Sequence, residues 1–253
     1  MRKVFRGLRD QIDWIGRAHE VNGTDSGQAA ARGQPSSRFM LRTLQPELLD
    51  SLPSDHPDAR HSRRDLRVIN RLMGNHRWFA RTLPPLVRAG EHALELGAGT
   101  GELALRLSAQ NIPVDGLDFV TCPQKWPRAR AWHNADLRSF TGYASYPAVI
   151  ANLILHHLSE AELASLGATL ARTTRVILAS EPTRSRRSQR LFALLSPLLR
   201  ANHVTRHDAH VSIAAGFRDD ELPRALGLDP AHWDCRCSTT ALGAYRLIAI
   251  RRP

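Results

Sequence analysis

Residues 92–104 read HALELGAGTGELA, and the pattern changes within them from that of a strand to that of a helix. A short apolar run at 93–96 is typical of a buried strand, and apolar residues at helical spacing start at Leu103. Three glycines alternate between the two patterns: Gly97, Gly99 and Gly101. Glycine permits a sharp turn and lets a ligand approach backbone N–H groups, and the start of a helix adds free donors. The stretch therefore predicts a strand–turn–helix unit that binds a nucleotide-like ligand.

The glycines alone allow two kinds of ligand. Gly99-x-Gly101-x-x-Ala104 fits the dinucleotide fingerprint G-x-G-x-x-G/A, which indicates a nicotinamide cofactor. Glu95, however, stands two residues before the first glycine, at the expected end of the strand. A carboxylate there would repel a pyrophosphate and would attract the positive group or the hydroxyls of a ligand. Glu95 therefore favours a cationic nucleoside over a dinucleotide.

Three stretches resemble one family. ELGAGTG at 95–101 resembles motif I of class I S-adenosylmethionine (SAM) dependent methyltransferases. NLILHHL at 152–158 resembles the run after the fourth strand of many small-molecule methyltransferases, and INRLMGNHRW at 69–78 resembles a helix of ubiquinone/menaquinone-type methyltransferases. The resemblance implies an α/β fold: a doubly wound, Rossmann-like, seven-stranded sheet whose last strand is antiparallel, with an N-terminal helical extension.

The cofactor that the resemblance implies is S-adenosyl-L-methionine. Asp118 ends the second predicted strand, where a carboxylate can accept hydrogen bonds from both ribose hydroxyls; the alternative is a solvated loop aspartate. Asp136 matches the family's adenine-binding acid, although a helix N-cap is an alternative role. Asn152 would lie beside the methionine end. The predicted cofactor-binding residues are Glu95, Gly97, Gly99, Gly101, Asp118, Asp136, Leu137 and Asn152.

Residues 202–210, NHVTRHDAH, contain three histidines, an arginine and an aspartate. Insertions at this point in the family line the substrate pocket, so we expect a substrate-facing loop here. His203, Arg206 and Asp208 are the predicted substrate contacts. The alternative is a set of surface histidines around a turn. We predict no metal site, because the spacing of these histidines matches no familiar one.

Two histidines are candidates for the catalytic base, because histidine titrates near neutral pH. One is His207, and its neighbour Asp208 is not expected to hydrogen-bond to it through the side chain. The other is His156. Because adjacent residues on a helical turn face different ways, we expect only one of His156 and His157 to face the cleft, and we favour His156.

The remaining patterns suggest the organisation of the chain. Residues 1–39 are predicted to be a flexible extension, since 22–38 have almost no large apolar side chains. Residues 40–90 are predicted to form a helical cap with a break at Gly74-Asn75. Residues 91–253 form the SAM-binding domain, with a substrate insertion at 183–222.

Charge and cysteine content limit the class of protein. The formal net charge is +11, but the arginines are scattered, so we do not expect nucleic acid as a partner. Three cysteines and the lack of an apolar run of ~18 residues favour a reduced, cytoplasmic protein without a transmembrane segment. The amphipathic pattern at 1–20 is compatible with weak peripheral membrane contact or with a frayed terminal helix.

The sequence thus predicts a SAM-dependent methyltransferase acting at oxygen or carbon of a small, hydrophobic or phenolic metabolite. The alternatives are an RNA or protein methyltransferase, a nicotinamide-dependent oxidoreductase, and a non-catalytic SAM-binding partner protein.

Overall fold

The computed structural model describes residues 40–253, and a seven-stranded sheet forms its centre. The strand order is β3-β2-β1-β4-β5-β7-β6. The strands are β1 Ala93–Leu96, β2 Val114–Asp118, β3 Trp132–Asn134, β4 Ala148–Asn152, β5 Val176–Pro182, β6 Trp233–Thr239 and β7 Ala244–Arg251. Strands β1 to β5 pair in parallel, whereas β7 is antiparallel to both β5 and β6. The predicted sheet, with seven strands and an antiparallel last strand, is confirmed.

Helices precede the sheet and connect its strands. They are α1 Leu48–Ser51, α2 Pro57–Met73, α3 Asn75–Thr82, α4 Glu102–Ser108, α5 Glu160–Thr173, α6 Arg186–Leu195, α7 His203–Ala215 and α8 Glu221–Ala225. No helix among residues 40–253 is long and apolar enough to cross a membrane. The predicted flexible extension at 1–39 and the amphipathic pattern at 1–20 lie outside the described residues. The division into a cap at 40–90 and a domain at 91–253 stays a prediction.

A glycine ends α2 and starts α3, as the sequence predicts. Gly74 has φ +68°, a left-handed conformation that glycine adopts without a steric penalty, and its N–H donates to the carbonyls of Asn70 and Arg71. The chain therefore changes direction at Gly74, and Asn75 begins the next helix fully buried.

Both faces of the sheet are covered, because successive residues of its parallel strands alternate between two apolar clusters. One cluster contains Leu94, Leu96, Val149, Ala151, Ile177 and Ala179, together with Leu163, Leu166 and Leu170 of α5. The other contains Ala93, Ala148, Ile150, Val176 and Leu178, together with Phe79, Leu103 and Leu107 of α3 and α4. Helices on both faces explain why these strands read as continuous apolar runs, and they make the sheet doubly wound.

The segment between β5 and β6 contains two longer helices, α6 and α7. Leu194 in α6 and Leu198, three residues beyond its end, are 73% and 79% exposed. The predicted role of 183–222 as a substrate insertion is not tested by the fold.

Candidate functional site

The glycine turn between β1 and α4 lies at the carboxyl edge of the sheet, and all three glycines adopt positive φ: +61° at Gly97, +55° at Gly99 and +75° at Gly101. An added Cβ would stand 2.6 Å from Ile154 at Gly97 and 2.7 Å from Trp126 at Gly101. At Gly99 the nearest such atom is a backbone oxygen 4.0 Å away. Protein packing thus requires two of the glycines, and the turn is open for a ligand at Gly99.

Glu95 is placed differently from the sequence prediction, which directs its carboxylate at a ligand. The residue is 4% exposed, and its Oε2 accepts the N–H of Ala104 at 3.0 Å, in the first turn of α4. A helix start has free N–H groups, and a carboxylate at the end of the preceding strand can accept one of them. Burial raises the pKa of Glu95 to about 8, although the Ala104 N–H opposes the shift. A contact between Glu95 and the cofactor remains a prediction.

Asp118 lies at the end of β2 and joins the two loops of the site. Its Oδ2 accepts the N–H of Gly99 at 2.7 Å, and its Oδ1 accepts the N–H of Val120 at 2.9 Å. The structure therefore brings Asp118 to the open glycine of the turn. The sequence allowed the alternative that Asp118 is a solvated loop aspartate, but its carboxylate accepts two backbone N–H groups.

Asp136 is held by Arg138. The carboxylate accepts the Arg138 backbone N–H and its Nε, each at 2.9 Å, and these hydrogen bonds lower the pKa of Asp136. The residue closes a turn and does not cap a helix, so that alternative is wrong. The carbonyl of Leu137 accepts the hydroxyl of Tyr143 at 2.6 Å. The predicted adenine contacts of Asp136 and Leu137 stay predictions.

Asn152, at the end of β4, belongs to a network of three asparagines. Its Nδ2 donates to Asn70 Oδ1 at 3.1 Å, and its Oδ1 accepts from Asn75 Nδ2 at 3.1 Å. Asn75 is fully buried, yet its Oδ1 has no donor among the described residues. A buried acceptor without a partner is costly, so this oxygen marks a position where a bound donor would be stabilised. Sequence reasoning did not assign Asn75, although it lies in the stretch that resembles quinone-type enzymes.

His156 lies at the exit of β4 and is fixed by two carboxylates. Its Nδ1 is 2.7 Å from Glu181 Oε2, and its Nε2 is 3.6 Å from Glu47 Oε1. Burial alone would lower the pKa of His156, but the bonds to Glu181 and Glu47 outweigh it and raise the pKa to about 9. Glu181 is fully buried, so its carboxylate contacts His156 away from solvent.

The expectation that only one of the two adjacent histidines faces the cleft is wrong. Residues 155–157 form a 3₁₀ turn, and the two rings lie tilted with centroids 4.3 Å apart. His157 Nε2 is 3.8 Å from the same Glu47 oxygen, and both histidines line one cavity of about 380 Å³. Burial and the neighbouring charge of His156 lower the pKa of His157.

Glu47 is a residue that sequence reasoning missed, because no motif surrounds it. The guanidinium of Arg42, upstream of it, donates to the carbonyls of His156, Leu158 and Ala215 at 3.2, 2.7 and 2.8 Å. Downstream, the first N–H groups of α1 donate to the Asp208 carboxylate at 2.7 and 3.0 Å. These long-range bonds place the Glu47 side chain beside both histidines.

The predicted loop at 202–210 is instead the cap and first part of α7, and its role in facing a substrate stays a prediction. Asn202 caps the helix by accepting the N–H of Thr205 at 2.8 Å. His203, Arg206 and His207 are exposed on α7, and none of them lines the 380 Å³ cavity. The helix contributes Val211, Ser212 and Ala215 there instead.

Asp208 serves packing, since its carboxylate is buried and caps α1. Contrary to expectation, its side chain does contact the neighbouring His207, whose Nδ1 is 3.0 Å from Asp208 Oδ1. His207 is 43% exposed and lies outside the cavity. The structure therefore gives no support for His207 as the base. It brings His156 to the cavity.

No protein-family model and no curated protein matches this sequence. Solved structures do match. The chain is similar to the plantazolicin methyltransferase BpumL in complex with a triazolic desmethylPZN analog and SAH, with a TM-score of 0.63, 11% identity, and coverage of 81% of this chain and 93% of BpumL.

Two further structures share the fold. One comes from work on the conversion of a disulfide bond into a thioacetal group during echinomycin biosynthesis. Its TM-score is 0.52 at 18% identity, and the match covers 70% of this chain and 81% of that one. The other is the pyocyanin biosynthetic protein PhzM, with a TM-score of 0.50, 20% identity, and coverage of 79% and 60%. At these identities the likeness shows a common fold.

Proposed function

We propose that this chain is a SAM-dependent methyltransferase acting on a small, hydrophobic or phenolic metabolite at oxygen or carbon. One observation carries the proposal: the Asp118 carboxylate lies on the N–H of Gly99, the open glycine of the turn. In doubly wound sheets, ligands bind outside the carboxyl ends of the strands where the strand order reverses, here between β1 and β4. An acceptor-only carboxylate next to an accessible backbone turn suits a ribose with two hydroxyls.

The residues at this edge fit the cofactor. Gly99 leaves space for a close approach, and the unpaired Oδ1 of buried Asn75 offers an acceptor beside Asn152. We propose that the cofactor is held by Glu95, Gly97, Gly99, Gly101, Asp118, Asp136, Leu137 and Asn152. When bound, SAM supplies an electrophilic methyl group on a sulfonium sulfur.

The fold also bears on the nicotinamide alternative. The dinucleotide-binding fold usually has the order 3-2-1-4-5-6, whereas here the antiparallel β7 inserts between β5 and β6. The similar structure with a TM-score of 0.63 is that of a methyltransferase in complex with SAH. Both observations favour SAM over a dinucleotide.

The cavity beside Glu47, His156 and His157 is the proposed acceptor site. It opens at the exit of β4, four residues after Asn152, so acceptor and cofactor would meet at the end of one strand. Methyl transfer needs mainly alignment of the reacting groups, which is worth ~7–11 kcal/mol in favourable cases. In the metal-free chain His156, held between Glu47 and Glu181, would contact the acceptor oxygen, and the quinone-type likeness at 69–78 is consistent with a hydrophobic acceptor.

Isothermal titration with S-adenosylhomocysteine tests the cofactor assignment. We expect binding tighter than millimolar for the full chain and at least a tenfold loss for Asp118→Ala. The matched control is Asp234→Ala, which removes an exposed carboxylate of β6 paired with Arg236. No binding by the unmodified chain, or NAD(P) binding in its place, would contradict the proposal.

The acceptor is found by incubating the chain with labelled SAM and a cell metabolite extract, followed by mass analysis. A labelled small molecule supports the proposal. Label that enters RNA or protein, with acceptor binding that weakens steeply as salt is raised, identifies a macromolecular substrate and contradicts the small-molecule assignment. SAH binding without label transfer to any fraction would indicate a non-catalytic partner protein.

A further inference from the structure

Three side chains at the 380 Å³ cavity converge on one point. Glu47 Oε1 is 3.6 Å from His156 Nε2 and 3.8 Å from His157 Nε2, and the three ligand atoms all lie within 4.8 Å of one another. A tetrahedral zinc site with bonds of 2.0–2.1 Å separates its ligand atoms by roughly 3.3 Å. Two of the three separations exceed this value by only a few tenths of an ångström, and the third is at most 4.8 Å, so side-chain movements of about 1 Å would bring all three atoms to bonding distance from one ion.

A buried carboxylate already fixes the orientation of one imidazole. Glu181 Oε2 is 2.7 Å from His156 Nδ1, and Glu181 Oε1 also accepts the backbone N–H of Leu155 at 2.9 Å. When Nδ1–H donates to this carboxylate, the lone pair of Nε2 points toward Glu47. Metal-binding histidines in proteins are commonly oriented by a carboxylate in this way.

Charge and access also suit a divalent cation. Two carboxylates, of Glu47 and Glu181, flank His156, so an ion of charge +2 that displaces the proton of its Nε2 would balance them. His156 and Glu181 are buried, whereas the His157 side chain is 31% exposed and borders the cavity. Three protein ligands with one side open to a cavity match the arrangement of zinc sites that keep a coordination position free.

We propose that Glu47, His156 and His157 form a binding site for a divalent transition-metal ion of the zinc class, with a free position toward the cavity. Imidazole and carboxylate ligands suit zinc and its neighbours better than magnesium or calcium. The free position would take water or an oxygen atom of a ligand in the cavity. The metal site itself does not rest on the proposed methyltransferase function, because it is defined by this chain's own side chains.

Zinc titration of the chelator-treated full chain against a chromogenic competitor tests the site. We expect one equivalent of tightly bound Zn²⁺, and a weaker affinity in both His157→Ala and Glu47→Gln. Glu181→Gln should lower the affinity by about 10–100-fold, since it removes only the orienting partner. His203→Ala is the matched control, because it removes an exposed histidine of α7 outside the cavity.

Cobalt gives a second readout that needs no enzymatic activity. Co²⁺ should produce the visible absorption of a four-coordinate nitrogen and oxygen site in the unmodified chain and in His203→Ala, but not in His157→Ala. Circular dichroism and thermal melting verify that each variant is folded. Zinc binding that is equal in all folded variants, or absent from the unmodified chain, would overturn the proposal. SAH titration of the metal-free chain measures the cofactor site separately, so the two proposals fail independently.

Discussion

Replacing Glu95 by glutamine should remove a pH-dependent loss of stability. The Glu95 carboxyl is buried at the end of β1, and its pKa is raised to about 8 by desolvation. In the unfolded chain the same group titrates near pH 4.3. Between these two values the folded protein keeps the proton and the unfolded chain releases it, so the free energy of unfolding falls as the pH rises. Glutamine has nearly the same shape, still accepts the Ala104 N–H, and does not ionise.

The size of the effect follows from the pKa difference. For each unit by which the pH rises in this window, the free energy of unfolding of the unmodified protein falls by about 1.4 kcal/mol relative to a chain without the carboxyl. From pH 5.5 to 7.5 the difference between Glu95→Gln and the unmodified protein should thus change by about 2.7 kcal/mol in favour of the variant. For a chain of this size that corresponds to roughly 5–10 °C in melting temperature. Any free-energy cost of burying the glutamine amide is the same at pH 5.5 and pH 7.5 and does not alter the change with pH.

Thermal unfolding at pH 5.5, 6.5, 7.5 and 8.5 measures the effect as the difference in melting temperature between variant and unmodified chain. Taking the difference cancels the other titrating groups. Glu102→Gln is the control, because Glu102 opens the same helix but its side chain is 39% exposed, so its difference should stay flat. A Glu95→Gln difference that also stays flat would refute the argument that the folded protein holds this carboxyl neutral.

Two further predictions follow from the site. Gly101→Ala should lower the free energy of unfolding, measured with denaturant, by about 2–4 kcal/mol, because the new Cβ would clash with Trp126 at a positive φ. Gly99→Ala should lower it by only about 1 kcal/mol, because the turn is open there, but should bind SAH at least tenfold more weakly. Equal stability losses in the two variants would contradict the assignment of Gly99 as the open position. Asp208→Ala should speed amide hydrogen exchange in Leu48–Ser51, because the Asp208 carboxylate accepts the first N–H groups of this helix, and should lower the free energy of unfolding by about 1–3 kcal/mol. Exchange in β1 should stay unchanged. Unaltered exchange in Leu48–Ser51 would show that the cap is unimportant.

Much of the fold could be predicted because its signals are local. Residues 93–104 contain a complete strand, turn and helix, and the glycines at 97–101 permit the positive φ values that this turn requires. The place of Asp118 at the end of β2 was likewise predicted from its neighbours in sequence. The antiparallel last strand came from the family resemblance.

Two predictions of local conformation were wrong. Residues 202–210 were predicted to be a loop because insertions at this point in the family line the substrate pocket, yet Asn202 caps a helix whose Val204 and Val211 pack inward. The two adjacent histidines were assigned different directions on the assumption of an α-helical turn, whereas the chain forms a 3₁₀ turn there.

Sequence by itself determined the strand, glycine turn and helix at 93–104 and the carboxylate at the end of β2, since each depends on residues a few positions apart and on apolar periodicity. The arrangement of seven strands in one sheet came from the family resemblance. Only the tertiary structure decided which side chains meet at the cavity. Glu47 reaches His156 across 109 positions because the Arg42 side chain, upstream of it, binds the carbonyls of His156 and Leu158, and Asp208 binds the backbone N–H groups just downstream of it. Such a contact depends on how separate elements pack, and no local pattern of residue types records it. For the same reason the sequence pointed to His207, which lies outside the cavity, and missed Glu47.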